Sequence, residues 1–184
     1  MIKKMILAAA FLAVNSGQIH AATLNADGAW NVFDVDEFSA SSGGLEWIDI
    51  DGGALSFDFT LTESAYLKVV DGGFSGDQFQ VFDNGQLLGE TSTASNNYPT
   101  SLGLDFDQAF SNADYSQGVY LLGVGSHTIT GLLSISAIDD IGDDINATVG
   151  AVSLTAVPLP AAAWLYAIGL AFFGAVSRRR IINA

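Results

Sequence analysis

The chain has 184 residues, no cysteine, 20 Asp plus Glu against 6 Lys plus Arg, and a formal net charge of −14. Without thiols there is no Cys nucleophile, thiolate metal site, iron–sulfur cluster or disulfide, so stability must come from a packed core or from bound ions. The acidity argues against nucleic acid as a partner, because a negative surface repels phosphate backbones and anionic headgroups while attracting divalent cations.

Residues 1–21 read as a secretory signal peptide. Lys3 and Lys4 form the positive n-region, residues 5–14 an apolar h-region too short to span, and residues 15–21 a polar c-region. Cleavage is expected after Ala21, which would remove His20 and leave His127 as the one histidine of the mature chain.

Residues 22–156 form the predicted exported segment, long enough for one core and too short for two comfortable domains. All 20 acids lie between Asp27 and Asp144, and only Lys68 opposes them, which leaves nineteen net negative charges. Leu55, Phe57, Phe59 and Leu61 alternate with Ser56, Asp58, Thr60 and Thr62, placing one apolar face on a strand. A second strand over 65–70 follows the two residues Glu63 and Ser64, and a hairpin is expected there. Strands over 78–82 and 86–91 flank Asn84-Gly85, a pair that accepts the positive φ of a type I′ turn. Further strands are expected over 45–51, 119–124, 127–135 and 148–155, with a weaker one over 30–35. No amphipathic helix is evident before Pro158. The pattern predicts an all-β fold, an antiparallel β-sandwich with jelly-roll topology. Residues 92–118, rich in Ser, Asn and Asp and carrying Tyr98, Phe106, Phe110 and Tyr115, are expected to cover one end or face and to help hold any ligand.

Few residues point to chemistry. His127 has neither a Gly-x-Ser-x-Gly elbow nor a second histidine for zinc, and reads as a strand-entry residue. Asp58 and Glu90 are the sort of strand carboxylates that form a glycosidase pair, which needs two acids about 5–10 Å apart, but nothing else singles them out. Gly72-Gly73-Phe74-Ser75-Gly76-Asp77-Gln78-Phe79 is similar to one copy of a calcium-binding nonapeptide, with Ser75 in place of a glycine. That β-helix needs tandem copies, so the stretch reads as a turn with Asp71 and Asp77 as isolated ligand candidates. Asp139, Asp140, Asp143 and Asp144 form the densest acidic cluster, without EF-hand order. They are the expected calcium ligands, since a hard cation relieves repulsion among crowded carboxylates. Asn146-Ala147-Thr148 fits a glycosylation sequon, to which no consequence is assigned. Trp30, Trp47, Tyr66, Tyr98 and Tyr120 could stack on sugar, although most are expected in the core.

The C-terminal stretch, residues 157–184, holds three parts in order: Val157-Pro158-Leu159-Pro160-Ala161, an uncharged apolar run over 161–176, and Arg178-Arg179-Arg180. Counted from Val157 the run reaches about the twenty residues that span a membrane. The prolines fit the start of such a helix, and the arginines place its far end in the cytoplasm. Motif, run and basic cluster over 157–180 together resemble the PEP-CTERM class of bacterial sorting signals in its VPLPA variant, with Leu159 where the family name has Glu. The resemblance implies handling by signal peptidase and an exosortase-like enzyme, passage through or anchorage in the inner membrane, and association with extracellular polysaccharide or biofilm. The Gly-rich strand pattern looks like β-sandwich domains often joined to this signal.

The expected function is therefore a non-enzymatic cell-surface or matrix protein. The alternatives are a membrane-anchored carbohydrate-binding or carbohydrate-active module and a self-assembling surface subunit. On spheroplasts, protease added from outside should digest the 22–156 segment. Protection of that segment would contradict the topology.

Overall fold

The computed structural model describes residues 20–36 and 45–158. The n- and h-regions, Leu159 to Ala161 of the motif, the apolar run and Arg178 to Arg180 lie outside the described residues.

The elements in chain order are β1 His20–Thr23, β2 Asp27–Val35, β3 Leu55–Leu61, β4 Ala65–Asp71, β5 Gly73–Phe74, β6 Gln78–Asp83, β7 Gln86–Glu90, β8 Ser101–Gly103, α1 Phe106–Ser111, β9 Gln117–Leu122, β10 Gly125–Ile135 and β11 Thr148–Ala156. One sheet has the order β1-β3-β10-β6-β7, the other β2-β11-β4-β9, and β5 and β8 pair by themselves. All pairs are antiparallel except the short β1–β3 pair. The protein is thus an all-β, antiparallel β-sandwich, as the alternating strands predicted.

The turn at Asn84 and Gly85 joins β6 to β7, both residues with positive φ (50° and 78°), as a two-residue hairpin requires. Three expectations are corrected. The bend at Glu63 and Ser64 is not a hairpin: β3 belongs to the first sheet and β4 to the second, so the chain crosses between layers. Residues 45–51 form no continuous strand, only isolated bridges from Glu46 to Leu132 and from Ile48 to Asp34 and Ala54. A helix does precede Pro158. The short α1 is capped by Asp105, whose carboxylate accepts from the Gln108 N–H, and it buries Phe106 and Ala109. Two apolar residues on a six-residue element leave too short a period to read. The 92–118 stretch does cover a face: Phe106, Phe110 and Tyr115 pack with Val70 and Ala151 on the outer side of the second sheet.

The main core lies between the sheets, with Phe57, Phe79, Val81 and Ile129 from one and Phe33, Leu67, Val69, Val152 and Leu154 from the other. At its centre the rings of Phe33 and Trp47 stack 3.9 Å apart, with Phe79 edge-on to both. Trp47 is held by its backbone: its N–H donates to Gly131 and its carbonyl accepts from Leu55. Gly131 makes room for the indole, since a Cβ there would lie 2.0 Å from the ring. The β1 strand spans the expected cleavage point, so cleavage after Ala21 leaves Ala22 and Thr23 paired with Phe57 and Asp58.

Trp47→Ala should cost about 3–5 kcal/mol. Gly131→Ala should cost about 1–3 kcal/mol by overpacking. Because both act through one contact, urea midpoints of the double variant should fall well short of the sum.

Candidate functional site

The strand registers give the sandwich two distinct ends. Ala156 pairs with Ala65, Ala65 with Leu122, and Leu61 with Gly125, so these residues mark the end at which the described chain stops. Among the described residues, this end carries only Asp27, Glu63 and Asp83 as acids. The opposite end collects Asp34, Asp36, Asp49, Asp51, Asp71, Asp77 and the 139–144 loop. Within this acid-rich end lies a buried polar cluster.

Asp71 is the last residue of β4. Period two places it inward with Leu67 and Val69, and it is fully buried. Its Oδ2 accepts from the Gly76 N–H at 3.2 Å, and the N–H groups of Gly72 and Asp77 also favour the carboxylate. Asp77 is buried as well, and its Oδ1 accepts from the Ala137 N–H at 2.6 Å. Around them Thr91 donates to Ser116 and accepts from Phe79 N–H, and the Asp71 N–H donates to the Ser116 carbonyl. Asn96 clamps Ile138 from both sides, accepting at 2.8 Å and donating at 2.7 Å. Within this cluster two buried side-chain atoms have no hydrogen-bond partner, Asp71 Oδ1 and Ser75 Oγ. Desolvation, reinforced by the negative charge of Asp77, raises the Asp71 pKa to about 9. Burial raises the Tyr115 phenol too, with a smaller push from Asp71, while its hydroxyl donates to the Gly73 carbonyl at 3.1 Å. Lys68 offers no compensation, because it faces outward over the Phe110 ring.

Of the candidates read from sequence, Asp71 and Asp77 belong to this cluster and the others fall elsewhere. In the 139–144 loop the Asp139 carboxylate accepts from the N–H groups of Ile141 and Asp143. The Asp143 backbone bond leads the effects that hold its pKa below the ordinary range. Among the described residues no three His, Cys, Asp or Glu side chains are gathered as a metal group, and Asp139, Asp140, Asp143 and Asp144 are no exception. His127 stands at strand entry as expected: its ring meets Asp83 Oδ2 at 2.8 Å and the Gly123 carbonyl at 3.0 Å and stacks on Phe59. Asp58 on β3 and Glu90 on β7 are three strand spacings apart in one sheet and four residues out of register, which puts them more than about 14 Å apart, too far for a glycosidase pair. Asp58 is also half-buried rather than fully solvent-facing. Trp47 belongs to the core, and Trp30 gives its indole N–H to Asp107, which leaves Tyr66 and Tyr98 as the more exposed aromatic candidates. Val157 and Pro158 are the motif residues described: the Val157 N–H donates to the Ser64 carbonyl at 3.0 Å.

No family model matches this chain. No curated protein matches it either. A solved structure, the pre-peptidase C-terminal domain of a collagenase from Bacillus anthracis, is similar over 75% of this chain and 95% of its own, at 5% identity and a TM-score of 0.37. A likeness this slight carries no argument about what the chain does.

The buried pair sets a pH dependence. A carboxyl whose folded pKa is raised contributes stability that is fully present below its unfolded value, near 3.8, and is lost as pH rises through the folded value. In chelator, stability relative to Asp71→Asn should therefore fall by about 1.4 kcal/mol per pH unit across that window. Urea unfolding of both proteins from pH 5 to 8 measures it, and parallel curves would refute it.

Proposed function

We propose that this chain is an exported, non-enzymatic bacterial surface or matrix protein, sorted through its 157–180 segment. Three features of the sequence support the reading: the n-, h- and c-regions of residues 1–21, the Val157-Pro158-Leu159-Pro160-Ala161 motif, and the apolar run closed by Arg178 to Arg180. We read the strand order β2-β11-β4-β9 over β3-β10-β6-β7 as a jelly roll, with β1 added at one edge.

The observation that carries the proposal is the continuity of fold and motif. The last strand ends at Ala156, and the next residue, the first of the motif, is still tied to the sandwich through Ser64. No linker separates them. A membrane segment beginning here holds the acid-poor end toward the bilayer and directs the acid-rich end outward. That orientation suits an anionic leaflet, because charges more than about 10 Å from it are largely screened at 0.1 M salt. The outward end would then meet polysaccharide, with divalent ions bridging where the polymer is itself acidic.

A second reading, self-assembly, is favoured by β9. This edge strand exposes Val119 and Leu121 by 54% and 63%, and an open edge with apolar outward residues invites pairing. Sedimentation of the surface-released protein distinguishes the two: a monomer at micromolar concentration excludes assembly through β9.

Replacing Pro158 and Pro160 with alanine should block release while leaving an apolar run able to span. Mass spectrometry of surface material from the parent strain should find no peptide beyond about Ala161. Intact peptides covering 164–178, found with nothing released, would overturn sorting in favour of a plain anchor.

A further inference from the structure

We propose that the turn from Asp71 to Asp77 is a calcium site, with Asp71, Ser75 and Asp77 as its side-chain ligands. The inference does not depend on the export reading, because it concerns the folded sandwich alone.

Two carboxylates lie wholly inside the sandwich, six residues apart and on one closed turn. An ionised carboxylate in such an interior costs several kcal/mol unless it is paired or bound to a cation, and Asp71 keeps one oxygen with no hydrogen-bond partner. The single lysine of this segment is committed to the other face of the sheet. One divalent cation balances two carboxylates, whereas one proton neutralises only one of them.

The second observation is independent of the acids. The Ser75 hydroxyl is 1% exposed, lies within the same turn, and has no hydrogen-bond partner. Buried hydroxyls normally find a partner, and leaving one unmade costs about 1–3 kcal/mol. Asp71 Oδ1 is unpartnered in the same way, although its sister oxygen accepts from Gly76. The turn therefore holds two buried oxygens with unused lone pairs and, six residues after the first, a second buried carboxylate, and these groups are all oxygen. That chemistry fits a hard cation and excludes the nitrogen and sulfur preferences of zinc and copper. Calcium is favoured over magnesium because it accepts irregular protein oxygen shells, while magnesium demands a near-ideal octahedron and keeps its water. Backbone carbonyls and water would complete the shell.

The site also has a structural task. Asp77 receives the Ala137 N–H, and Asn96 ties Ile138 to the start of the 92–118 stretch. A cation at the turn draws together β4, β6 and the segment after β10 at the end where the acids accumulate, in a chain with no disulfide.

The test uses the full chain in detergent, stripped with chelator and then titrated with calcium chloride. At a hundredfold excess over Kd, calcium should raise the melting temperature by roughly 5–10 °C. Magnesium should do less. Asp71→Asn, a neutral isostere, should remove most of the shift, and Asp143→Asn with Asp144→Asn should preserve it. Should Asp71→Asn fail to fold, Ser75→Ala replaces it and should weaken calcium binding about tenfold. Terbium gives a local readout: emission sensitised by Tyr115, whose hydroxyl touches Gly73 of the turn, should be quenched by added calcium. Equal melting in calcium and chelator, with no calcium-displaceable terbium emission, would overturn the proposal. So would a calcium effect that survives Asp71→Asn and Ser75→Ala but is lost in the Asp143, Asp144 variant, which would move the site to the acidic loop.

Discussion

The stack of Phe33 on Trp47 is the contact on which the two sheets depend. Phe33 comes from β2 of one sheet, whereas Trp47 comes from no strand at all and is delivered by a segment stitched to both layers. Each ring needs a missing side chain opposite: Gly131 beneath Trp47 and Gly150 beneath Phe33, where a Cβ would lie 2.3 Å from the ring. The indole N–H finds no acceptor there. The site thus accepts an unmade hydrogen bond, worth about 1–3 kcal/mol, in exchange for the area of a fully buried tryptophan.

The same glycine links the core to the buried acids. Gly150 has Phe33 as its cross-strand neighbour on one side and Asp71 on the other. The apolar centre of the sandwich therefore gives way within one residue pair to a polar end built from Asp71, Ser75, Asp77, Thr91 and Ser116. Such an end resists collapse into a generic hydrophobic core and fixes how the turns are placed, provided its charges are neutralised. A proton on Asp71 or a cation on the pair are the two ways to do so, and they predict opposite responses to calcium.

Leu55, Phe57, Phe59 and Leu61 were legible because they alternate with Ser56, Asp58 and Thr60 along the sequence, and Asn84-Gly85 announces its turn through backbone geometry alone. The covering of β4 and β11 on both faces, where Val70 and Ala151 lie under Phe106 and Tyr115, was not legible in that way. The failures share a cause, which is that partner choice is nonlocal. Glu63 and Ser64 look like a hairpin turn, yet the chain crosses to the other sheet, since β4 finds better partners in β9 and β11. Trp47 sits in a strand-like run whose backbone bonds go to three different strands, one bridge at a time. The acids differ in how much of their setting the order of the chain reveals. Density along the chain drew attention to Asp139, Asp140, Asp143 and Asp144, where the loop's own N–H groups answer Asp139. Asp71 and Asp77 were visible only as separate ligand candidates. Their burial together, with Ser75, follows from strand parity and from the closure of the turn, neither of which composition reveals.

In the proposal above an ion completes the acid-rich end of the sandwich. Crystals grown in calcium and measured at a long X-ray wavelength would test it directly through anomalous scattering. A calcium peak is expected between the carboxylates of Asp71 and Asp77, within about 2.3–2.6 Å of Asp71 Oδ1 and Ser75 Oγ. A map with no peak at that turn, or with its peak in the 139–144 loop instead, would contradict it.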